Sequence, residues 1–189
     1  MISRDRYDQI DGEDMIEEIV IRESQMSDIP SLEKLYPEAF PDEDLLPLVW
    51  DLLREEPIVL SLVGIVGQSL VGHVMFTTCS ISGQSDNVAL LGPLAVAPAV
   101  HRRGIGSALV RDGFQRLENV GASQIYVLGD PAYYQRFGFQ SEAAVTPPYP
   151  LPKEWCGAWQ SVNLNNVEQR LHGALSMPQP WLQPALWSP

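Results

Sequence analysis

Leu90-Leu-Gly-Pro-Leu-Ala-Val-Ala-Pro98, followed two residues later by His101-Arg-Arg-Gly-Ile-Gly-Ser-Ala-Leu109, joins an apolar strand pattern to the start of a helix. The first N–H groups of a helix lack intrahelical partners and carry the positive end of its dipole, so an anion is stabilised there. Gly104 and Gly106 lack a Cβ and let a pyrophosphate approach the backbone, while Arg102 and Arg103 add charge and directed donors. The helix itself is plain in the spacing. Leu109, Val110, Gly113, Phe114, Leu117 and Val120 share one face, Arg111, Asp112, Gln115, Glu118 and Asn119 the other, and Gly121 marks the stop. The loop is thus read as a phosphate site for a nucleotide-type ligand.

Two common phosphate loops are disfavoured. No Gly-Lys-Ser/Thr triplet occurs, which excludes a Walker loop, and a dinucleotide fingerprint needs a small residue where Leu109 stands. The run His101-Arg102-Arg103-Gly104-Ile105-Gly106 resembles the acetyl-CoA loop of the GNAT-type N-acetyltransferase superfamily, Gln/Arg-x-x-Gly-x-Gly/Ala, with His101 in place of the Gln or Arg. Tyr134-Gln-Arg-Phe-Gly-Phe139 resembles the Tyr-x-x-x-Gly-Phe signature of the same superfamily and follows the strand pattern Gln124-Ile-Tyr-Val-Leu128. The Asn-x-x-Ala stretch usual before that tyrosine is replaced by the shorter Gly129-Asp-Pro-Ala132. The resemblance spans roughly residues 19–145.

The resemblance implies an α+β fold: a three-layer α/β/α sandwich around a mixed, mostly antiparallel, splayed sheet. It implies acetyl-CoA as co-substrate, with the backbone of Leu94, Ala95 and Val96 pairing with the pantetheine amides. Arg102, Arg103, Gly104, Ile105, Gly106 and Ser107 would hold the phosphates, and Tyr134 would contact the cofactor and protonate the departing thiolate. The implied activity is direct acetyl transfer to a primary amine: a small molecule, a peptide N-terminus or a lysine. A non-catalytic acyl-CoA-binding sensor is the alternative. The base stays open: Val88–Val96 contains no Asp, Glu or His, Asp130 is the nearest acid but first of all a turn residue, His73 reads as a core or surface histidine within a strand, and His101 as facing solvent beside the phosphates.

The other patterns agree. Ile19–Glu23 reads as a first strand, Asp28 opens a helix through Ile29, Leu32, Leu35 and Tyr36, and a second helix fits Asp44–Arg54, ending before Pro57. Ile58–Val66 and Leu70–Ser80 form a hairpin turning at Gly67-Gln-Ser69, and the polar cluster Ser82–Asn87 leads into the strand Val88–Val96. Gly92-Pro93 inside that strand denies it a normal ladder. Ala158–Leu164 predicts one more strand.

The 189 residues, 45% apolar, suit one catalytic domain over residues 19–164. Residues 1–18 read as an acidic, mobile arm and residues 165–189 as a Pro/Trp-rich segment packed on the domain or at a homodimer contact. The last 43 residues hold 8 of 16 prolines and 4 of 5 tryptophans, and tryptophans left in water would expose large apolar areas. The net charge of −12 resides wholly in residues 1–56, with 17 acids against 5 bases. Asp42, Glu43 and Asp44 lie between the two N-terminal helix patterns, where the resemblance implies that the acceptor enters, which suggests a cationic one. The absence of a basic face argues against nucleic acid. No apolar run approaches a membrane span or signal peptide, so a soluble cytoplasmic protein is expected. Cys79 and Cys156 have no Cys or His at ligand spacing, and no metal is expected.

Overall fold

The computed structural model describes residues 18–55, 58–82, 87–164 and 171–187. The acidic arm therefore lies, except for Glu18, outside the described residues. In chain order the elements are β1 (Ile19–Glu23), α1 (Ile29–Ala39), α2 (Leu46–Leu53), β2 (Val59–Val66), β3 (Ser69–Ile81), β4 (Val88–Val96) and α3 (Ile105–Asn119). They continue with β5 (Gln124–Leu128), α4 (Pro131–Tyr134), β6 (Gln140–Ser141), β7 (Val145–Thr146), β8 (Trp159–Asn163) and β9 (Gly173–Ser176).

The strands run β1-β2-β3-β4-β5-β8-β6 across one mixed sheet, with β9 pairing both the end of β3 and β7. All neighbours are antiparallel except β4–β5 and β7–β9. The β2–β3 turn falls at Gly67, whose φ of 59° suits glycine at the first turn position. Alternation along the strands sends Leu62, Val74, Phe76, Ala89, Leu91 and Ile125 to one face and Val63, Met75, Leu90 and Tyr126 to the other. Ile105, Leu109, Val110 and Leu117 of α3 cover the first face. Leu32, Leu35 and Tyr36 of α1, with Leu48, Val49 and Leu52 of α2, cover the second. The result is an α+β sandwich with helices on both faces.

Particular residues set these docks. A Cβ on Gly113 would run into the Phe76 ring, so glycine lets α3 settle on the centre of the sheet. At the head of α1 the Asp28 carboxylate takes the Gln25 N–H at 2.8 Å and both Arg22 guanidinium nitrogens at 2.7 Å, tying the helix to β1. α2 starts two residues after Asp44, whose Oδ1 accepts the Leu46 N–H at 3.3 Å. The C-terminal stretch joins the α1/α2 layer. Trp159, Trp181 and Trp187 are buried, and a large aromatic withdrawn from water contributes on the order of 4 kcal/mol by area.

Candidate active site

β4 and β5 pair only through Val88↔Gln124, Ala89↔Ile125 and Leu90↔Tyr126, after which they part. The cause lies in β4. Phe76 pairs with Leu91 and Val74 with Leu94, so Gly92 and Pro93 together oppose Met75. Such a two-against-one bulge bends the strand carrying it. β5 meanwhile continues straight along β8 to Leu128↔Trp159, and the sheet opens into a V.

The register decides which backbone groups face the opening. Ala97 N–H donates to Val71 O at 2.9 Å, and bonded and non-bonded pairs alternate along an antiparallel ladder. Ala95 is therefore bonded to His73, whereas the N–H and C=O of Leu94 and Val96 point into the gap. His101 Nε2 lies 3.0 Å from Val96 O, on that open side. Of the three residues expected to present backbone to a ligand, Leu94 and Val96 turn theirs into the gap, while the main chain of Ala95 belongs to the ladder.

A cavity of about 680 Å³ runs from this gap over the start of α3. It is lined by Leu94, Val96, His101, Arg102, Gly104, Ile105, Gly106 and Ser107, together with Asp130, Tyr133, Tyr134 and Arg136. Gly104 sits at the N-cap with φ 82°, and Arg102, unusually for a residue with a side chain, has φ 63°. These turns leave the first N–H groups of α3 directed at the cavity. Arg103 is exposed and does not line it. Sequence reasoning gave no role to Tyr133 or Arg136. A Cβ on Gly106 would strike the Tyr133 hydroxyl, which hydrogen-bonds Ser107, and the Arg136 guanidinium stacks 4.7 Å above the Tyr133 ring. Arg136 lay within the Tyr-x-x-x-Gly-Phe run. Only the tight turn through residues 135–137 brings it to the cavity that Arg102 also lines.

A second cavity, of about 610 Å³, opens on the α1/α2 side of the gap. Phe40, Leu94 and Tyr134 line both cavities. Tyr134 ends α4, which Asp130 starts by accepting the Ala132 N–H at 2.9 Å. Its ring is wedged edge-on against Phe139 and Tyr133, and a Cβ on Gly129 would collide with it. No hydrogen-bond partner for its hydroxyl occurs among the described residues. No buried polar atom there is sealed without a partner either, so the hydroxyl opens into the cavities. Burial, reinforced by neighbouring Tyr133, pushes its pKa well above the usual phenol value. The group is therefore protonated at neutral pH.

The three residues considered as bases fall in different places. His73 is wholly buried between Tyr36 Oη (2.7 Å from Nδ1) and Ser61 Oγ (2.8 Å from Nε2) and lines neither cavity. Burial pushes its pKa down to about 3, so it is a neutral core histidine. Asp130 caps α4 and borders the first cavity, and His101 contacts Val96 O. Among the described residues no cluster of three or more His, Cys, Asp or Glu could hold a metal, and no helix is long and apolar enough to cross a membrane.

The pattern of the acetyltransferase (GNAT) family matches residues 25–139. The chain is 31% identical over 161 residues to an N-acetyltransferase of Escherichia coli K12, YjhQ, itself uncharacterized, covering 82% of this chain and 89% of the relative. Its fold is similar to that of the E. coli GNAT family N-acetyltransferase YhbS in complex with CoA. That likeness has a TM-score of 0.78 at 25% identity and covers 92% of this chain and 97% of the other. A GNAT family acetyltransferase from Brucella melitensis in complex with acetyl-CoA is also similar, with TM-score 0.69, 26% identity and coverage of 87% and 98%. The chain belongs to the acetyltransferase (GNAT) family, and by class it is an acetyl-CoA-dependent acetyltransferase.

Proposed function

We propose that this enzyme moves the acetyl group of acetyl-CoA to a primary amine by direct attack, with donor and acceptor entering from opposite sides of the β4/β5 gap. The observation that carries this reading is the meeting of two cavities at Tyr134. The cavity over α3 suits the donor: Arg102, Arg136 and the free N–H groups of the helix start complement a pyrophosphate, and Gly106 lets the Tyr133 hydroxyl close against that helix start. The outward N–H groups of Leu94 and Val96 and the C=O of Leu94 would pair with the pantetheine amides, like an added strand, while Val96 O meets His101. The likeness to relatives bound to CoA and acetyl-CoA supports the same assignment.

In the transfer, the neutral amine nitrogen attacks the thioester carbonyl and a C–N bond forms. Charge gathers on the carbonyl oxygen, for which a gap-facing N–H of β4 is the available donor. The C–S bond then breaks, Tyr134 gives its proton to the thiolate, and the phenolate is refilled by the proton the amine sheds. The products are the N-acetylamine and CoA. An amine that arrives as an ammonium ion first loses a proton. Apart from Tyr134, the titratable groups lining the acceptor cavity are Glu43 and Asp44, both exposed to water that can carry it off.

The test is thermal unfolding with acetyl-CoA, CoA and NAD, followed by thiol release with amine acceptors. A ligand at 100 times its dissociation constant adds about 2.7 kcal/mol, or several degrees in Tm. Stabilisation by both CoA ligands, none by NAD, and amine-dependent thiol release are expected. CoA binding with no turnover on any amine would make the chain an acyl-CoA sensor instead, and no response to CoA would end both readings.

A further inference from the structure

The acceptor cavity has a chemical character that narrows the substrate. Its walls are apolar: Phe40, Leu48, Leu128, Trp155, Trp181 and Trp187. Its charged side chains are Glu43 and Asp44, with no Lys, Arg or His lining it. Glu43 has no side-chain partner among the described residues, and Asp44 is engaged only through the long 3.3 Å bond to Leu46 N–H. At its inner end the unpartnered hydroxyl of Tyr134 opens into it, on a side chain only 9% exposed.

The C-terminal segment builds the far wall. Trp181 Nε1 donates to the buried Thr77 Oγ1 at 3.0 Å, and its ring lies against Gly92, where a Cβ would come within 3.4 Å. Trp187 Nε1 donates to Trp181 O at 2.9 Å and its ring meets Trp159 edge-on. Both indoles thus spend their N–H groups inside the protein. The little they present to the cavity, at 8% and 2% exposure, is ring surface, which suits an apolar or aromatic body. Away from Glu43, Asp44 and the Tyr134 hydroxyl, a polyhydroxylated amine would find no side-chain partner to replace the water it gives up. A polyamine would need carboxylates along its length, whereas here both acids precede α2 and the depth of the cavity is apolar.

Resting on the two-cavity reading above, we propose that the acceptor is an arylalkylamine: a small primary amine on a short chain bearing an aromatic ring. The carboxylates of Glu43 and Asp44 draw in its cation, the ring packs among Phe40, Trp181 and Trp187, and the nitrogen reaches the thioester beside Tyr134. The reaction is R-NH2 plus acetyl-CoA giving R-NH-acetyl plus CoA, with bonds and protons moving as described above.

Thiol release at saturating acetyl-CoA, with acetyl-CoA binding measured separately by calorimetry, tests this. 2-Phenylethylamine and tryptamine should exceed spermidine and glucosamine in kcat/KM by about a hundredfold, since burying a ring is worth that much. Glu43→Gln with Asp44→Asn, at exposed positions, should raise the KM for 2-phenylethylamine about tenfold with acetyl-CoA affinity unchanged. Ala185→Phe, placed on the exposed rim of the cavity, should reduce tryptamine turnover more than that of methylamine. If acetyl-CoA binds but spermidine or glucosamine is preferred, or no arylalkylamine reacts, the acceptor assignment is overturned and the donor site stands. If acetyl-CoA does not bind, the two-cavity reading fails and this inference with it.

Discussion

Acidification should unfold this protein through one buried residue that takes no part in its chemistry. His73 is neutral and fully buried, with a pKa of about 3 in place of the ordinary 6.5. In the unfolded chain it binds a proton as soon as the pH drops below about 6.5, whereas the folded protein refuses that proton until about pH 3. Stability is therefore unaffected above neutrality and falls progressively as the pH descends through that window. Between pH 7 and pH 5 the loss is about 2 kcal/mol, and over the whole interval about 5 kcal/mol, a large share of an ordinary folding free energy. Asp28, whose carboxyl the Arg22 bidentate pair holds below its usual value, acts in the same direction but only below pH 3.8, outside the pH 7 to 5 comparison. The assay is urea unfolding at pH 7.0 and 5.0 for the wild type and for His73→Gln, which removes the proton site and keeps a polar side chain. The wild type should lose about 2 kcal/mol more than the variant. Equal losses would refute the buried neutral imidazole. Because Ala95 is paired to His73, the same acid step should loosen β4 beside the opening.

Tyr134→Phe should lower kcat by about 10²- to 10⁴-fold while acetyl-CoA affinity, by calorimetry, changes less than twofold; unchanged turnover would remove the proton-donor role. Gly106→Ala drives a Cβ into the Tyr133 hydroxyl and should weaken acetyl-CoA binding about tenfold or more, whereas Gly157→Ala, with open space at its Cβ, should leave binding and Tm alone. Trp181→Phe removes the donor to the buried Thr77 Oγ1 and should cost about 1–3 kcal/mol in urea unfolding. In that variant the KM of the acceptor should rise more than that of acetyl-CoA, since Trp181 lines one cavity and not the other.

The parts of the fold legible in the sequence are those governed by local periodicity and local backbone limits. α3 followed from its apolar spacing, and β2, β3, β4, β5 and β8 from their apolar runs, to within a residue or two at most ends. The break in the ladder at Gly92-Pro93 followed from what those residues deny a strand, the splay of the sheet from the family resemblance, and Tyr134 from its motif. The two-residue strands β6 and β7 and the four-residue β9 carry too little pattern to be read. They exist because β8, β9 and the end of β3 offer them unpaired edges.

By itself the sequence determined the order of the main elements from β1 to β5 and β8, the family and the loop at the start of α3, because each depends on residues a few positions apart. Tertiary structure alone decided that Leu94 and Val96, but not Ala95, turn their backbone to the gap, since that depends on the hydrogen-bonding phase of β3 against β4. It also decided that Arg136 joins Arg102, that His73 is a neutral core residue, and that tryptophans some 90 residues beyond β4 wall the cavity beside it. Such pairings rest on packing between distant segments, and no local pattern in the chain records which surfaces will meet.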